Sequence, residues 1–74
     1  MKLYVEIFTS RTGLKQNERI VTRRSCQSLA AVNDALATLW PGQSIGAEQL
    51  ERLPLELSEL VGGGPAYRGV RVRQ

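Results

Sequence analysis

Among 74 residues, the side chains most able to do chemistry are arginines and aromatics at strand-like spacing near the two ends. Tyr4 and Phe8 alternate with Leu3, Val5 and Ile7, and Tyr67, Arg71 and Arg73 alternate with Val70 and Val72. If the aliphatic residues face a core, the opposite face shows three of the four aromatics beside arginines, joined by Arg23 or Arg24 according to register. Rings offer stacking surfaces for unpaired bases, and guanidinium groups hold phosphates. The same residue types anchor protein–protein interfaces, and arginine stems on strands also serve simply to cover apolar surface.

Catalysis has far less to work with. There is no histidine, so the serines, threonines and Cys26 lack the usual activating base. Glu48, Glu51, Glu56 and Glu59 supply carboxylates, but beside a leucine stripe they read as a solvated face. One cysteine forms no disulfide within the chain and no zinc site, and suits a reducing compartment. Near Arg23, Arg24 and a helix N-terminus its thiolate would be favoured; as a buried small hydrophobe it would be inert. Gly62-Gly63-Gly64-Pro65 lacks the GxxxxGK[ST] spacing of a phosphate loop. No catalytic residue, cofactor or metal ligand is therefore expected.

The elements that position these groups follow from periodicity. A first strand covers Leu3 to Phe8, a polar loop runs from Thr9 to Gln16, and a second strand runs from about Glu18 to Arg24. Ser25 or Ser28 caps a helix with its apolar stripe at Leu29, Val32, Leu36 and Leu39, ended by Pro41-Gly42. Residues 53–58 fit either period, since Leu53, Leu57 and Leu60 share a helical face while Leu53, Leu55 and Leu57 alternate. Pro54 in a first turn favours two short helices, about 46–52 and 54–61, the second capped at Gly62. Ala66 to Arg73 forms the last strand. The expectation is one α+β domain over 1–74, a three-stranded sheet with helices on one face. Whether the last strand lies parallel or antiparallel to the first stays open.

Charge is segregated along the chain. Lys2, Arg11, Lys15, Arg19, Arg23 and Arg24 against Glu6 and Glu18 give residues 1–33 a net +4. Arg52 against Asp34, Glu48, Glu51, Glu56 and Glu59 gives residues 34–62 a net −4, and Arg68, Arg71 and Arg73 return the total to +3. A basic sheet backed by acidic helices suits a small non-enzymatic module that binds another protein as a regulator, adaptor or inhibitor. The contact residues would be Tyr4, Phe8, Arg11, Lys15, Arg23, Arg24, Tyr67, Arg71 and Arg73. The alternative is single-stranded nucleic acid on the sheet face. Surplus leucines and the lone Trp40 suggest a homodimer burying Leu55 or Trp40. No 18-residue apolar run or signal peptide is present, so a cytoplasmic protein without membrane contact is expected.

Overall fold

A computed structural model describes all 74 residues. The alternation at the N-terminus forms β1, Leu3–Ser10, which turns through a 3-10 segment at Lys15–Asn17 into β2, Arg19–Cys26. Helix α1, Leu29–Leu39, follows, then one turn of α2, Ala47–Leu50, and the strands β3, Leu55–Leu60, and β4, Tyr67–Arg73. The four strands make one antiparallel sheet in the order β2-β1-β4-β3, two hairpins laid side by side with β1 and β4 at the centre.

The expected helix over 54–61 is thus a strand, and the sheet has four strands rather than three. Pro54 stands just before β3, where an edge strand tolerates it, and the alternation of Leu53, Leu55 and Leu57 prevails over their helical spacing. Charge pairing explains the preference. Only in the strand does Glu56 lie opposite Arg71 and Glu59 opposite Arg68, at 2.8 and 3.2 Å. The helix expected over 46–52 shrinks to α2, and Gly62, at φ +61°, belongs to the β3–β4 turn instead of capping a helix. That pairing also dissolves the acidic helical block: two of its glutamates stand on the sheet beside arginines.

Ser28, not Ser25, caps α1, its Oγ accepting the Ala31 N–H at 3.1 Å. The helix buries Val32, Ala35 and Leu36 against Leu3, Val5, Cys26, Val70 and Val72. It lies over β1 and β2. The segment after it packs Ile45, Leu50 and Leu53 against the same core. Asn33 clamps that segment, donating to the Ile45 carbonyl at 3.0 Å and accepting its N–H at 2.8 Å. No helix is long and apolar enough to cross a membrane.

Candidate functional site: the open sheet face and its basic rim

Register places Tyr4, Glu6 and Phe8 of β1 beside Arg73, Arg71 and Gly69 of β4 on the face opposite α1, with Arg23 of β2 next to Glu6. The inward and outward sides expected of β1 and β4 are the observed ones. The outward side is not, however, an open row of rings and cations. Glu6, only 1% exposed, sits at its centre. Its Oε2 accepts from Arg23 Nε at 2.6 Å and its Oε1 from Arg73 Nε at 3.0 Å, while Arg71 Nη1 stands 3.8 Å away. Burial pushes the Glu6 carboxyl up, but the hydrogen bonds from Arg73 and Arg23 and their charges together outweigh it and hold it below its usual range.

A second carboxylate arrives from the β1–β2 connection. Glu18 accepts the Tyr67 hydroxyl at 2.6 Å through one oxygen and Arg71 Nη2 at 2.9 Å through the other. Burial again works upward on Glu18, and these partners more than offset it. The bond to Glu18 in turn raises the Tyr67 phenol. Arg71 also gives its Nε to Glu56 at 2.8 Å, so one guanidinium serves glutamates from three separate strands and loops.

Those contacts fold the connection over the face, correcting the expectation of exposed Phe8. Its ring is 1% exposed, lies against Gly69, meets the edge of Tyr67 at 6.2 Å and 79°, and carries Arg71 at 4.5 Å. Tyr4 keeps partial exposure, but Arg73, Lys2 and Arg23 stand over its ring at 4.7, 5.7 and 5.9 Å. The connection itself is tied down rather than loose. Ser10 Oγ donates to the Leu14 carbonyl at 2.7 Å, Asn17 donates to Thr12 Oγ1 at 2.7 Å, and Gly13 rests so close to the Pro65 carbonyl that a Cβ has no room.

On this face three arginines, 23, 71 and 73, meet three glutamates, 6, 18 and 56, so its charge is balanced locally. The cations without an acidic partner within 4.0 Å lie mainly on the loop and along β2: Arg11, Lys15, Arg19 and Arg24, with Lys2 just before β1 and Arg52 apart from them between α2 and β3. Of the contact residues expected from sequence, Arg11 and Lys15 therefore stand free on the loop and Arg24, opposite Val5, on the helix side of β2, while Arg23, Tyr67, Arg71 and Arg73 are held by glutamates. Lys2 and Arg19 join the rim, and Glu6 and Glu18 govern the face. Glu6 was visible as an outward residue between Tyr4 and Phe8; its role needed the strand order.

Trp40 is half-buried against the core with the Arg68 guanidinium 4.7 Å from its ring, and Leu55 is half-buried at the edge strand. Glu48, Glu51, Glu56 and Glu59 do not gather as a carboxylate pair, because Glu56 and Glu59 point to opposite faces and bind separate arginines. Cys26 is buried, which lifts its thiol above the ordinary range against the smaller opposing pull of Arg24. Native protein at pH 7 should accordingly react with a disulfide reagent at least roughly tenfold more slowly than urea-unfolded protein. Equal rates would place the thiol in solvent.

The chain matches no protein-family model, no curated protein sequence and no solved structure.

Proposed function

We propose that the protein is a non-enzymatic binding module, a regulator, adaptor or inhibitor, that docks its basic rim onto an acidic protein surface. One observation carries this reading: Arg23, Arg71 and Arg73 are committed to buried or half-buried glutamates, while Arg11, Lys15, Arg19 and Arg24 have no acidic partner. An acidic protein surface satisfies such a rim without needing base stacking. Single-stranded nucleic acid would need rings to stack on; Phe8 is covered and Tyr4 is already roofed by cations. The tethered loop favours the protein reading further, since a preorganised set of cations loses less entropy on docking.

The triple variant Arg11→Glu, Lys15→Glu, Arg19→Glu leaves the ion pairs of the face intact. It should lower affinity for captured protein roughly tenfold or more, measured on nuclease-treated extracts. An unchanged set of captured proteins would sink the proposal. Salt-sensitive binding of a labelled oligothymidylate that depends on Tyr4 would favour nucleic acid instead.

A further inference from the structure

The two edges of the sheet are built differently, and the difference concerns a surface separate from the basic rim. β2 is guarded: Val21 forms a bulge between the Ile7–Thr22 and Phe8–Ile20 pairs, and Arg19, Arg23 and Arg24 line the strand. β3 has no such device. All six of its residues keep regular register with β4, and it runs out into exposed Leu60 and Val61. Its two glutamates are held by Arg71 and Arg68, so they do not charge the edge as free carboxylates would.

The direction of its backbone groups is settled by neighbours. Val61 N–H donates to the Ala66 carbonyl at 2.9 Å, and the Leu57 carbonyl lies against Gly69. Odd-numbered residues therefore turn toward β4, and alternation leaves the N–H and C=O of Glu56, Ser58 and Leu60 on the outer edge.

We infer that β3 pairs antiparallel with β3 of a second copy, about a two-fold axis through Ser58, to make one continuous eight-stranded sheet. A two-fold axis normal to the sheet keeps each face on its own side, so it must pass through a residue position. Passing through Glu56 or Glu59 would set a carboxylate against its own copy. Passing through Leu57 would set Leu60 opposite Pro54, which has no N–H to give. At Ser58 these conflicts vanish. Ser58 faces its copy and Glu56 faces Leu60 on the open side, while Leu57 faces Glu59 and Leu55 faces Val61 on the helix side. Every outward N–H and C=O of the three residues finds a partner. The β2 strands, with their basic rims, then lie at the two far ends, roughly 34 Å apart across seven strand spacings of ~4.8 Å.

Sedimentation equilibrium of the full chain tests this. The mass should rise from 8.2 kDa toward twice that value as concentration reaches the order of 0.1 mM, because an edge-only interface is small. Ser58→Glu sets a carboxylate against its own copy across the axis and spares the backbone; Ser58→Pro removes the central outward N–H and no bond to β4. Each should weaken dimerisation roughly tenfold or more with Trp40 fluorescence unchanged. Ser58→Cys should cross-link copies under mild oxidation, whereas Glu59→Cys should not. A monomer mass throughout, a dimer indifferent to Ser58→Glu, or cross-linking at 59 in place of 58 would each overturn the inference.

Discussion

Glu6→Gln is expected to destabilise the fold by about 2–4 kcal/mol, below the ~3–5 of a fully buried pair because Arg23 and Arg73 keep access to water. The variant is nearly isosteric, so packing barely changes. What it removes is the anion at the meeting point of Arg23, Arg71 and Arg73, leaving three cations around a neutral amide. Against a total of about 4–11 kcal/mol for a chain of this length, that loss alone could halve the stability. Urea titrations of the two proteins measure it, and a difference within ~0.5 kcal/mol would show the cluster to be ornamental. Protonation should reproduce the effect without mutation. The Glu6 and Glu18 carboxyls are held below their ordinary value of 4.5, so each binds a proton more readily in the unfolded chain. Their contribution is therefore complete above the unfolded value and is lost as pH falls through the folded one. Stability should be flat from neutrality to near pH 5 and drop beneath it, with the drop reduced in Glu6→Gln.

Phe8→Ala is expected to cost about 3–5 kcal/mol, although the residue sits on the face that sequence alone assigns to solvent. Its ring fills the space above Gly69 and is boxed by Tyr67 and Arg71, so truncation opens a void on the side away from the helix core. The complementary change gives an independent check. A Cβ at Gly69 would collide with that ring and with the Leu57 carbonyl, so Gly69→Ala should cost roughly 1–3 kcal/mol by overpacking. Phe8→Ala should relieve part of that cost in the double variant, a coupling that a double-mutant cycle reads directly. Additive losses would mean the ring and the glycine do not share the space.

Much of this architecture is legible in the residue pattern. Period-two alternation identifies β1 and β4 with their correct faces, and the spacing of Val32 and Leu36 identifies α1. Residues 53–60 fail because the leucines satisfy both periods; the tie is broken by Arg68 and Arg71, nine and fifteen residues beyond Glu59 and Glu56, to which a local reading is blind. The site is misread for the same reason. Tyr4, Phe8, Arg71 and Arg73 do share a face, as expected, but whether a face is open depends on what folds over it. Here Glu18 and Gly13 reach across from the loop to Tyr67 and Pro65, contacts spanning about fifty residues. Segment charges mislead likewise, since Glu56 and Glu59 count as acidic by position yet neutralise arginines by pairing.

The adjacency of β1 and β4 bears on the order of folding events. Of these four strands, β1 is made before the rest and must wait for β4 before the middle of the sheet exists, because Tyr4 registers with Arg73 and Val5 with Val72. Each hairpin forms from near neighbours, but an isolated hairpin is at best marginal in water. Docking one hairpin on the other closes a loop of nearly the whole chain, an entropic cost met before the central ladder can repay it. During synthesis β1 therefore has β2 on one side and a bare edge on the other, and Glu6 has Arg23 but neither Arg71 nor Arg73. Only when the β3–β4 hairpin docks through β4 onto β1 do the carboxylate and the edge acquire their missing neighbours.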